Sequence, residues 1–179
     1  MPTYGEYRRD VPKIRLVKGY TGNEPQSLHR SAKPKDDENI RSGQLISLDD
    51  NGEWVKGCPK GKEPHFAFQD QTDTDVQSIG LLLGFSCSGD YVIETGWFVE
   101  GESLVYGEGK FLKAATGADA GKVTLAANAQ DDNDVIGFAS HGAVQDKAGQ
   151  NSQAKLTSGK LNLLSLTTKW LPDRTAYTG

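Results

Sequence analysis

After Arg41 the chain breaks into short apolar runs, each closed by Gly, Asp, Asn or Pro. Spaced in this way, they read as short strands joined by turns. The runs are Gln44–Leu48, Glu53–Lys56, Ser78–Ser86, Tyr91–Val99, Lys110–Ala115, Lys122–Ala126, Asp134–Ala139 and Gly159–Trp170. Between the first two, Asp49-Asp50-Asn51-Gly52 predicts a hairpin, because Asn and Gly both tolerate positive φ. In the fourth run Tyr91, Ile93, Thr95 and Trp97 share one strand face, opposite Val92, Glu94 and Phe98. Ala114–Ala129 is alanine-rich, but Gly117 and Gly121 interrupt it and favour a hairpin over a helix. With 21 Gly and one Met, the expected fold is all-β: a small β-sandwich or barrel of short antiparallel strands.

The stretch before this core reads differently. Residues 1–41 carry nine Lys or Arg against six Asp or Glu, whereas the other 138 carry eleven against eighteen. Pro2, Pro12, Pro25 and Pro34 remove amide donors and bias their neighbours toward extended geometry, making a poor helix and a poor central strand. The expectation is an extended, irregular N-terminal arm over residues 1–40, followed by a single β-rich core domain over 41–179. Fully extended, its first 36 residues reach on the order of 100 Å. Val11, Ile14, Leu16, Val17 and the tyrosines give it apolar matter to lay on a surface. Arg8, Arg9, Lys13, Arg15 and Lys18 are interleaved with Tyr4, Tyr7 and Tyr20. Glu6 and Asp10 dilute the basic character, and the acidic body repels phosphate, so a protein surface with acidic patches is the expected target. Arg and Tyr are the residue types favoured as interface anchors, which makes Tyr4, Tyr7, Arg8, Arg9, Lys13, Arg15 and Lys18 the candidate contact residues.

Motifs for chemistry are weak. The net charge of −4 gives no global field for nucleic acid; no apolar run approaches a membrane span, and the polar start is unlike a signal peptide. Cys58 and Cys87 form no CxxC and fit either two thiols in reducing cytoplasm or one disulfide. His29, His65 and His141 each lie more than four residues from another His or Cys, outside local metal spacings, and no GxSxG elbow supports a triad. The acidic runs Asp70–Asp75 and Asp131–Asp134 lack the EF-hand spacing and read as solvated loops. Gly57–Glu63 misses the P-loop spacing, and Glu stands where its hydroxyl belongs. No catalytic, cofactor or metal residue is therefore nominated, and the expectation is a protein that is not an enzyme.

An internal echo runs through the core. Ser42-Gly43-Gln44-Leu45-Ile46 then Trp54-Val55 parallels Glu108-Gly109-Lys110-Phe111-Leu112 then Val123-Thr124-Leu125. Asp75-Val76 with Ile79-Gly80 would then match Asp134-Val135 with Ile136-Gly137. Two matching sub-sheets give this pattern, and so does chance in a Gly-rich β chain.

The stretch Tyr91–Phe98, followed by Tyr106–Ala114, Gly117, Ala120–Val123 and Val135–Gly142, resembles the decoration proteins of tailed bacteriophage heads. The Ser42–Leu45 and Asn51–Val55 segments resemble the upstream hairpin of such proteins. The likeness spans about residues 40–145 and consists of strand-and-turn grammar. It implies a viral, structural cement protein. Such a protein binds the outer surface of the expanded head and stabilises it against internal DNA pressure by bridging major capsid protein subunits. It further implies a homo-oligomer, dimer or trimer, on the virion's outer capsid surface, made in the bacterial host cytoplasm, with no cofactor, no direct nucleic acid and no membrane contact. The alternative is a carbohydrate-binding or tail-associated β domain whose exposed Trp54, Trp97 or Trp170 stacks on sugars. A small hydrolase using scattered carboxylates ranks third.

Overall fold

The computed structural model describes residues 15–18, 29–88, 92–100, 104, 106–126, 135–145 and 163–171. These residues are all-β apart from one short helix and the 3-10 turn at Gly117–Asp119. The strands are β1 (Arg15–Lys18), β2 (His29–Ala32), β3 (Leu45–Leu48), β4 (Trp54–Lys56), β5 (His65–Ala67) and β6 (Leu82–Ser86). There follow β7 (Val92–Thr95), β8 (Phe111–Ala114), β9 (Val123–Leu125), β10 (Val135–Gln145) and β11 (Leu163–Leu171). Helix α1 (Thr74–Ile79) lies between β5 and β6.

The two sheets are the same object built twice. One has the order β4-β3-β5-β6-β2, and the other β9-β8-β10-β11-β7 with β1 added on its β7 edge. Every strand of the first thus has a counterpart five strands later, and the ladders are antiparallel in both. The register repeats as well. Leu45 faces Phe66 and Ile46 faces His65 in the first unit, and Phe111 faces Phe138 and Leu112 faces Gly137 in the second. The amides of Gly43 and Gly109 donate to the carbonyls of Ala67 and Ala139 at 2.7 and 2.8 Å. Ala67 and Ala139 in turn donate to Gln44 and Lys110, both at 2.8 Å. Gly43 (φ 88°) and Gly109 (φ 79°) occupy the left-handed region these turns require, where a side chain would be strained.

Each unit closes on itself. Beyond β2 the chain returns to β4, with Trp54 donating to Lys33 and Lys35 donating to Trp54 at 2.9 Å each. Beyond β7, Val123 donates to Trp97 at 3.0 Å and Val99 donates to Val123 at 2.8 Å. Both closures are parallel bridges, so each unit is a five-strand barrel. Closure removes the free edges that a short open sheet would expose.

Strand alternation sorts the side chains into three layers. Ile46, Trp54 and Leu82 pack within the first barrel, joined by Ile40 and by Val76 of α1. Ile93, Leu112, Val123, Leu164 and Leu166 pack within the second. Leu45, Phe66 and Phe85 point out of the first barrel yet belong to the second barrel's cluster, so they form the joint between the two. Burying each contributes about 1.5–3 kcal/mol. Polar ties fix the joint's geometry. Leu45 donates its amide to Gly121 at 2.8 Å, Thr95 Oγ1 donates to Gly43 at 2.8 Å, and Trp97 Nε1 donates to Ser42 at 3.1 Å.

Three expectations change. Within the N-terminal stretch, Arg15–Lys18 and His29–Ala32 are sheet strands. Both sit where a proline-flanked strand is tolerated, at a sheet edge or beside a closing bridge. The first two parts of the internal echo are true counterparts, whereas the third is not. Val76 and Ile79 are helical, and the real match to Ile136–Ala139 is Pro64–Ala67. In the β3–β4 loop only Gly52 (φ 78°) takes the positive-φ position, and the turn is organised by Asp49. The Asp49 carboxylate accepts the amides of Asn51 (2.9 Å) and Glu53 (3.0 Å), and these bonds hold it below the usual carboxylate range.

Candidate binding surfaces

Of the seven nominated arm residues, Tyr4, Tyr7, Arg8, Arg9 and Lys13 lie outside the described residues. Arg15 and Lys18 are the two ends of β1, whose register sets Arg15 opposite Glu94, Leu16 opposite Ile93 and Lys18 opposite Val92, with a bulge between the last two. The arm is thus anchored by strand pairing to the second barrel, and residues 1–14 precede that anchor.

The sugar-platform alternative requires exposed indoles. Trp54 is fully buried and donates Nε1 to the Leu82 carbonyl at 2.8 Å. Trp97 is half-buried with Nε1 on the Ser42 carbonyl, and Trp170 is half-buried against the core. Trp54 is therefore removed as a stacking residue, because it fills the barrel whose strand carries it. The Asp70–Asp75 run is likewise more than a solvated loop. Asp70 accepts the Ser42 amide at 2.6 Å and lies 3.5 Å from the Arg41 guanidinium. Ile40 and Gln71 exchange hydrogen bonds at 2.8 and 3.0 Å beside it. The second acidic run, Asp131–Asp134, lies outside the described residues.

Among the described residues a polar cluster lies at the end of the first barrel. The Glu63 carboxylate accepts hydrogen bonds from the Ser86 and Ser88 hydroxyls and stands 3.8 Å from Arg30 and 4.0 Å from His65. His65 is buried, with its ring 4.9 Å from that of Trp54 and its Nδ1 3.0 Å from the Glu63 carbonyl. A nucleophile would need its hydroxyl on the imidazole; here both serines are spent on the carboxylate, so the cluster ties strands together. Among the described residues no group of three or more His, Cys, Asp or Glu side chains comes together as metal ligands. Cys58 and Cys87 are thiols rather than a disulfide, and burial pushes the Cys87 thiol well up, away from the reactive thiolate.

The cluster makes acid stability testable. Burial pushes His65 below its ordinary value, which nearby Glu63 offsets only in part. Burial also acts to raise Glu63, but the Ser86 and Ser88 hydroxyls, with His65 and Arg30, outweigh it and leave the carboxylate below its ordinary range. Both groups therefore bind protons more weakly in the folded state than in the unfolded one. Each contribution is complete above the unfolded-state value and drains as pH falls through the folded one. The urea midpoint is expected to fall in two stages, the first beginning below the ordinary imidazole value of 6.5. His65→Asn flattens the first stage and Glu63→Gln the second.

No family model, curated protein or solved structure matches the chain.

Proposed function

We propose that this chain is a non-enzymatic bacteriophage capsid decoration protein. It binds the major capsid protein on the outer surface of the expanded head and braces neighbouring subunits against internal DNA pressure. The observation that carries the reading is a braced pair of barrels with an arm anchored beside it. β1 is held on the β7 edge, so residues 1–14 join the described residues at a paired sheet strand. A rigid block plus a tethered segment engages two neighbouring sites at once, and the second contact gains from effective concentration. The strand-and-turn resemblance over residues 40–145 supports the same role.

The test is co-sedimentation with expanded capsid shells that lack this protein, comparing the full chain with one beginning at Arg15. Starting later would remove β1 or β2 and damage a sheet. Saturable binding by the full chain, weakened at least about tenfold by the truncation, is the expected result. Equal binding by both moves the contact from the arm to the barrels. Binding by neither overturns the decoration role.

A further inference from the structure

The apolar joint between the barrels continues past the point where the second barrel covers it. Phe66 of β5 and Phe85 of β6 point out of the first barrel into the second barrel's cluster, and both are buried. Strand alternation puts Phe68 on the outward face of Phe66, and Leu83 and Leu81 on that of Phe85. The Phe68 ring lies beside the Phe85 ring, centroids 6.3 Å apart, and the Phe68 amide donates to the Leu83 carbonyl at 2.9 Å. Here the cover ends. Phe68 is 41% exposed, Leu81 43%, and Ile79, which closes α1 two residues earlier, 70%. In a polar chain, an apolar patch continuous with an internal joint marks a surface that something else covers.

The direction of β1 says what does. Followed toward the N-terminus, β1 runs from Lys18 opposite Val92 to Arg15 opposite Glu94, so residues 1–14 leave it heading for Thr95. Thr95 Oγ1 donates to the Gly43 carbonyl at 2.8 Å, and the Gly43 amide donates at 2.7 Å to Ala67, the neighbour of Phe68. One residue therefore bridges the end of β7 and the edge of the patch. Extended, residues 1–14 reach on the order of 45 Å, and they carry Val11 and Ile14 nearest the exit. Two other segments fit less well. Residues 19–28 enter β2 at His29, opposite Phe85, at the end of β6 away from Leu81. Residues 146–162 join β10 to β11 at the Thr95 end, but Leu156 and Leu161 are their only large apolar side chains. We propose that residues 1–14 fold back over the first barrel of their own chain, packing Val11 and Ile14 on Phe68, Leu81 and Leu83. The arm then ties the barrels together from outside, as the joint does from within. The inference is independent of the capsid role, because it concerns the protein before it meets any partner.

Benzoylphenylalanine in place of Phe68 in the full chain tests it, by photocrosslinking and mass spectrometry. The expected product joins position 68 to a peptide within residues 1–14, at the mass of one chain. Val11→Asp together with Ile14→Asp lowers its yield at least about tenfold, since two apolar side chains lose their burial, while circular dichroism stays unchanged. The same probe in place of Phe111, on a strand three places from β7, gives no such product. A crosslink from position 68 to residues 19–28 or 146–162, to a second copy, or to nothing overturns the proposal. So does a product with residues 1–14 whose yield the two aspartates leave unchanged.

Discussion

Replacing Trp54 by Val and Gly84 by Leu in the same chain is expected to cost far less stability than the two single changes added together. The register makes Val123 the counterpart of Trp54 and Leu166 the counterpart of Gly84. One barrel therefore fills its interior with a very large and an absent side chain, the other with two of middle size. In the first unit the fit is tight: a β-carbon on Gly84 would lie 2.7 and 2.8 Å from Trp54 ring carbons and 3.3 Å from the His65 β-carbon. Gly84→Leu alone overpacks a site with no room to yield, at a cost of about 3 kcal/mol or more. Trp54→Val alone empties the barrel and abandons the indole's bond to Leu82, again at about 3 kcal/mol. Together they install the pair that the second barrel already uses. A coupling of at least about 2 kcal/mol in the favourable direction is expected from urea unfolding of the cycle. Simple additivity would mean that the barrels share a backbone plan but not interchangeable interiors.

The same comparison explains what could be read beforehand. Turn residues carry their meaning locally, because a left-handed backbone position demands glycine wherever it occurs. Gly43 and Gly109 thus mark equivalent turns of the two hairpins in the sequence itself. The third element went astray for a physical reason. Val76 and Ile79 have the same apolar character as Val135 and Ile136, but they lie in a six-residue helix whose Val76 buries against the first barrel's core. Short apolar runs do not distinguish helix from strand. The true counterparts, Phe66-Ala67 and Phe138-Ala139, were visible only as a dipeptide, too short to stand out. Trp54 misled for a related reason: an indole after a turn looks like a surface platform, and its burial depends on Gly84, thirty residues away in sequence and adjacent only in the barrel. The edge strands β1 and β2 escaped because their prolines argue against central strands, and edge positions and closing bridges obey looser rules. The seven arm residues rest on composition, which reports binding character without geometry. The exposure of Phe111 gave no sequence signal, since alternation alone cannot say which of two faces is covered.

Leu45→Asp is expected to unfold both barrels, whereas Phe111→Asp, at the identical register position, changes stability by no more than about 1 kcal/mol. Leu45 is fully buried in the joint, and its amide is already committed to Gly121. Aspartate there would lose the apolar contact and place a carboxylate among Phe66, Phe85 and the second barrel's cluster. A charge at that fully buried position among apolar side chains is desolvated at high cost. A loss above about 4 kcal/mol follows, which removes most of the stability of a domain near the low end of the usual range of about 5–15 kcal/mol. Phe111 keeps its backbone role either way, since its carbonyl accepts the Ala126 amide at 2.9 Å whatever the side chain. Its side chain faces solvent, where a charge costs little. Trp54 reports on the first barrel and Trp97 and Trp170 on the second, so fluorescence and near-ultraviolet circular dichroism follow both during urea unfolding. A single coincident transition in the parent, abolished by Leu45→Asp and kept by Phe111→Asp, is the expected outcome. If Leu45→Asp instead unfolds the first barrel and leaves the second intact, the joint is a contact between independent units. The braced pair of barrels on which the decoration reading leans would then be lost.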